Sequence, residues 1–280
     1  MARANSKPAT TQLNDYEKEM AEQAEASFAQ EKNALGSGQF FGLASGILTF
    51  NGVKIPDSKM AVIILDGIME NAHFAGAYNK DNPTTPDCFA FGRSEKGMEP
   101  HESIEEAYSE MCGTPGQPGC CPLNEWKSAI RQDGTQGKGK ACKNMRRLAM
   151  IPAGAFIGGV FQPITELEHY EDAKAAYMRL PVTSVKAYAA HVADCKSGHT
   201  RPPHGVITLV SVFPDADVQV RVEFEVIGRV PNELLEVVMA RHKKAKEDIF
   251  FAYPPPAVKP EPAAAAPVKA TAAPVRRSKF

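Results

Sequence analysis

Apolar residues change their spacing several times along the chain, and each change marks an element. Tyr16, Met20, Ala24 and Phe28 recur every four residues behind Asn14, a helix-capping type, and predict an amphipathic helix with an acidic outer face. After Gly36-Ser37-Gly38 the pattern becomes β-like. Ile47–Phe50 and Val53–Ile55 flank Asn51-Gly52, the signature of a tight hairpin. Met60 to Leu65 is a continuous apolar strand, and alternation past Asp66-Gly67 carries it through Ile68, Phe74 and Tyr78. Gly67 and Gly76 would then let a long strand turn corners, as in a small barrel.

From Asn79 to Lys143 the pattern lapses. Glycine, proline and cysteine dominate, and only Ile104 to Met111 reads as a short helical run. So long a loop inside one domain needs something to staple it. Regular patterning resumes at Leu148–Ile151, a buried strand. Helices are expected over Glu166–Met178 and over Thr183–Cys195, the latter with Val185, Tyr188, Ala189 and Val192 on one face. Gly205–Phe213 and Val218–Ile227 read as paired strands, the second alternating cleanly between valine or phenylalanine and polar residues. Pro231 opens a last helix running to about Glu247.

Three segments follow: an N-terminal arm and acidic helix (1–38), a domain with an insertion at about 80–145 (39–252), and a tail (253–280). From Pro254 onward the tail has seven prolines and eight alanines, too little apolar bulk to bury a core, so it is expected to be disordered.

Composition changes this picture little: 43% hydrophobic and 23% charged residues suit a globular domain, and the net charge is −1. The distribution of charge says more. Asn14 to Lys32 carries six acids against two lysines, whereas Lys127 to Arg147 carries seven cations against Asp133 alone. Separated signs favour a local anion site. No apolar run is long enough to span a membrane, and the N-terminus has no signal-peptide core, so the expected location is cytoplasmic.

Five of the six cysteines (88, 112, 120, 121 and 142) fall in the insertion, where there is little core to hide a thiol. Structural zinc takes four thiolate or imidazole ligands, and Cys88, Cys112, Cys121 and Cys142 are the candidates. Cys120 competes for the third place, with His101 and His73 in reserve. Trp126 and Lys127, then Lys138, Lys140, Lys143, Arg146 and Arg147, combine a stacking ring with phosphate-binding charge around Gly137 and Gly139. Phe74, Tyr78, Phe89 and Phe91 are further candidate platforms. The glycine–lysine run has the wrong spacing for a P-loop, and no hydrolase, zinc-protease or dinucleotide fingerprint occurs.

The blocks Cys121-Pro122-Leu123-Asn124-Glu125-Trp126, 137–144 and Arg146-Arg147-Leu148 resemble bacteriophage single-stranded-DNA-binding proteins with an OB-fold. The likeness extends loosely from Gly42 to Ala252. It implies a mainly β, α+β architecture: an OB-like five-stranded barrel with flanking helices and a cysteine-rich zinc insertion. It also implies non-catalytic, sequence-tolerant binding of single-stranded DNA during replication or recombination in a bacterial host, with replication or recombination proteins as further partners. The rival expectation is a structural or interaction protein of a phage particle or replication complex with a zinc-stabilised loop. A zinc nuclease ranks third, because catalysis needs an open metal position.

Overall fold

The computed structural model describes Lys18, Met20 and residues 40–75, 85–131, 133–157 and 159–253. The expected N-terminal helix lies outside these residues apart from Lys18 and Met20, as do Gly76, Tyr78 and the tail from Pro254.

Two strands of 15 residues each, β4 (Lys59–His73) and β6 (Lys143–Ile157), form the spine. They pair antiparallel from Ala61↔Gly154 to Ala72↔Lys143, with register shifts between Ala61 and Val62 and between Ile64 and Asp66. Each long strand is shared by two shorter ones along its other side. β9 (Val206–Asp215) takes the first half of β4 and β5 (Cys88–Gly92) the second. On β6, β8 (Ala176–Leu180) pairs with Arg146–Met150 and β7 (Val160–Pro163) with Gly154–Ile157. β10 (Gln219–Arg229) closes the row beyond β9. A separate small sheet holds β1 (Phe41–Gly42), β2 (Thr49–Phe50) and β3 (Val53–Lys54). Its turn residues Asn51 and Gly52 have φ of 50° and 76°, the left-handed pair that a two-residue hairpin needs.

The run Met60–Leu65 is apolar at successive positions because both faces of the sheet are covered. Ala61, Ile63, Leu65, Ile68, Ala149 and Ile151 point to one core, roofed by Tyr170 of α1 (Leu167–Asp172) and by Val238, Ala245 and Ile249 of and beyond α3 (Leu235–Asp248). Val62, Ile64, Leu148 and Met150 point to the other, covered by Phe41, Leu43, Leu48 and Ile55 and by Tyr188 of α2 (Val185–Ser197).

The expected five-stranded OB-like barrel is therefore corrected to an open seven-stranded sheet in a mixed α+β fold. The strand order β10-β9-β4-β6-β7 leaves its two ends unjoined. A barrel has an inside and an outside, whereas here each central strand feeds two separate cores. Gly67, expected to be a barrel corner, makes room instead: a Cβ there would meet Leu148 at 2.9 Å and the Tyr188 hydroxyl at 3.0 Å.

Other differences are local. The helix expected over 166–178 stops at Asp172, and Ala176–Leu180 becomes β8. Arg241 of α3 donates to the carbonyls of Glu171 and Ala173, satisfying the helix end where the chain turns off. Ile104–Met111 is not helical. Residues 93–142 carry one short 3-10 turn (Pro122–Asn124) and an isolated bridge, Ile130↔Gln136. No helix among the described residues is long and apolar enough to cross a membrane.

Candidate interaction site

The insertion packs on the end of the sheet where β4 meets β5. Cys88, Cys112, Cys121 and Cys142 line one small cavity of about 20 Å³ there, with Asn71, His73 and Asn124. Burial pushes the Cys112 thiol up to about 11 and Cys142 up to about 12, with nearby thiols adding to the effect. Burial also raises Cys88. Cys120 turns aside, its sulfur 3.5 Å from the Cys112 carbonyl oxygen.

The zinc expectation fails at this point. Among the described residues no group of three or more His, Cys, Asp or Glu side chains is arranged to hold a metal ion. Of the reserve ligands, His101 stacks on Phe89 at 5.0 Å with its Nδ1 2.9 Å from Ser103 Oγ, while His73 lines the cavity, meets Tyr108 edge-on at 5.2 Å and keeps a buried Nδ1 without a hydrogen-bond partner among the described residues. The insertion is held here by packing of Met98 and Cys112 against Ala90 and Met69 of the sheet.

These thiols give the fold an alkaline weakness. Cys112 and Cys142 stay protonated in the native state up to about pH 11 and 12, while in the unfolded chain they ionise from about pH 9. Unfolding thus releases protons across that window. The stability gained from keeping them neutral is complete below pH 9 and is lost as pH rises through the native values. The midpoint of urea unfolding, followed by circular dichroism from pH 8 to 11, should fall steeply above pH 9. Cys142→Ala should start lower and fall less steeply; parallel curves for the two proteins would refute this role for the thiol.

The cations expected to bind nucleic acid do not form one face. Arg147 is 0% exposed. Its Nε lies 2.5 Å from a Glu70 carboxylate oxygen, and Nη1 donates to the Ile249 and Phe251 carbonyls at 3.1 and 2.7 Å. Phe91 and Phe251 enclose the guanidinium, with ring centres 4.1 and 4.4 Å from its carbon. Arg179 shares the same carboxylate, Nε to oxygen 3.1 Å, and the Tyr253 hydroxyl donates to it as well. Arg146, partly buried on the opposite face of β6, donates to its neighbour's carbonyl. Lys140 is consumed locally: Nζ lies 2.7 Å from Asn144 Oδ1 and 3.4 Å from Asn124 Oδ1. Asn144 in turn donates to Asn71 at 2.6 Å, tying the loop to β4.

The candidate aromatic platforms are largely spent too. Phe89 is buried and Phe91 covers Arg147, both near Tyr253. Phe74 is half-buried just past β4, and Tyr78 is not described. The face expected for single-stranded DNA is not assembled, so the OB-fold resemblance and the replication, recombination and phage roles drawn from it lose their support. The buried cluster of Glu70, Arg179, Phe40, Phe251 and Tyr253 escaped sequence reasoning. Its one signal was Glu70, a glutamate in phase with the core positions Ile68 and Ala72 of the same strand.

What remains in the open is Trp126, 65% exposed, with Ile130 at 67%. Lys127, Arg131, Lys138 and Lys143 are exposed in the same stretch of chain. The loop is well tied down. Ser128 Oγ accepts from Ala141 N at 2.8 Å and lies 2.8 Å from the Leu123 carbonyl. The Glu125 carboxylate accepts from Gly116 N at 3.1 Å. Lys140 Nζ sits 5.0 Å from the Trp126 ring centre, close enough for a cation–π contact. Lys127, next to the indole, has φ of 68°, a conformation costly for a non-glycine residue. The hydrogen bonds on either side fix the loop that carries the exposed ring.

Compared with known proteins, the chain matches no family model, no curated protein and no solved structure.

Proposed function

We propose that this chain is a non-catalytic binding protein that docks a protein partner on the Trp126 loop. The observation that carries the reading is the chain's single tryptophan, held outward on a tied loop. Tryptophan gives the largest apolar contact of any side chain at little entropic cost, and it is enriched among the few residues that dominate interfaces. Ile130 is a second exposed apolar side chain four residues on, and Lys127, Arg131 and Lys138 are exposed cations in the same stretch. The partner surface that complements this is an apolar socket rimmed by carboxylates. Such a rim governs orientation and approach more than final affinity.

The test is site-specific photo-crosslinking in cells with the full-length chain. A benzoylphenylalanine replaces Trp126 in one variant and Val53 in another. Val53 is 70% exposed on the small sheet and serves as the control. A discrete protein adduct from position 126 that is absent from position 53 is the expected result. Nucleic-acid adducts at 126, or the same adducts at both positions, would overturn the proposal.

A further inference from the structure

The α1–α3 face carries a second feature, independent of the Trp126 loop. A groove of about 500 Å³ runs between the two helices. Leu167, Val237 and Ala240 line it together with Glu171, Glu233 and Glu236. Leu167 is 48% exposed. Arg241, the one cation lining the groove among the described residues, donates to the carbonyls of Glu171 and Ala173. The groove's lining is thus part apolar and net negative.

The chain contains a segment of matching chemistry outside the described residues. Val275-Arg276-Arg277-Ser278-Lys279-Phe280 places three cations between two apolar side chains. We propose that this segment docks in the α1–α3 groove of its own chain, with Arg276, Arg277 and Lys279 facing the three glutamates and Phe280 or Val275 covering Leu167 and Val237.

Length permits it. Tyr253 is anchored at Glu70, close to where the chain leaves α3. The groove lies toward the other end of that helix, about 20 Å away at 1.5 Å per residue. A chain of 22 residues, the number from Pro254 to Val275, spans about 25 Å on average at random-coil dimensions, enough to reach the groove. Tethering keeps the local concentration of the segment in the millimolar range, so a contact of modest intrinsic affinity is populated without a second molecule. Contacts of this kind weaken as salt screens them.

The experiment uses full-length protein carrying benzoylphenylalanine at Phe280, irradiated at low and high salt and mapped by mass spectrometry. The expected product is an intramolecular adduct within residues 167–171 or 233–240 that falls several-fold at high salt. Glu233→Lys with Glu236→Lys should cut its yield at least tenfold, and adding Arg276→Glu with Arg277→Glu should restore it. That restoration separates lost docking from a damaged helix. Adducts between two chains, adducts mapping to the acidic 14–32 segment, or a yield unchanged by charge reversal would each overturn the proposal.

Discussion

Glu70→Ala should be the most destabilising single substitution in the domain, costing about 3–5 kcal/mol, the usual loss when one partner of a buried ion pair is removed. Arg147 and Arg179 both rely on this carboxylate, and Arg147 has no exposed surface through which water could replace it. Unlike a surface pair, the cluster also joins distant parts of the chain. Arg147 is on β6 and Glu70 on β4, while Phe40 precedes β1 and Phe251 and Tyr253 follow α3. Losing the carboxylate leaves two guanidinium groups beside each other in an aromatic box. For a domain of this size the loss corresponds to a fall in Tm of roughly 6–20 °C. Replacing Arg147 by Met in the same chain should recover part of it, because the uncompensated charge is then gone. Thermal melts of the three proteins decide the matter. A Glu70→Ala protein melting within a degree or two of wild type would show that the network is dispensable.

Trp126→Ala should do the reverse: large in binding, small in stability. An indole that is 65% exposed contributes little to the core. Its removal should change Tm by no more than a few degrees, the range of most surface substitutions. At an interface the same truncation typically costs at least 2 kcal/mol, a loss of about thirtyfold or more in affinity for the partner caught at this position. Lys127→Glu and Arg131→Glu, at the rim, should mainly slow association and alter its salt dependence. If Trp126→Ala unfolds the insertion instead, the ring packs the loop rather than presenting it.

Local structure was largely legible in the sequence. The Asn51-Gly52 hairpin, the alternating strand that became β10, and the helices that became α2 and α3 all follow from short-range chemistry. The closure of the sheet was not. Periodicity shows which residues are apolar but not how many faces of a strand are covered, and Gly67 looks the same whether it bends a barrel or admits Tyr188. The 166–178 helix failed because pairing with β6 outweighed local propensity beyond Asp172. The site was misread for a related reason. A run of cations such as Lys140, Lys143, Arg146 and Arg147 reads as surface until a buried partner is found, and Glu70 lies 77 positions from Arg147 in the sequence. The four cysteines reach one cavity from four separate segments, yet among the described residues no three of them are arranged to hold a metal ion.

The central claim, that Trp126 is a presented docking group, is open to one direct measurement, because it is the chain's single tryptophan and intrinsic fluorescence reports on it alone. In the isolated full-length protein the emission should be that of a water-exposed indole. Iodide should quench it more effectively than caesium, as Lys140 sits 5.0 Å from the ring centre and Lys127 adjoins it in the chain. Adding the partner identified by crosslinking should shift the emission to shorter wavelength and remove the iodide access. An indole already shielded in the isolated chain, or a spectrum unmoved when the partner binds, would contradict the account.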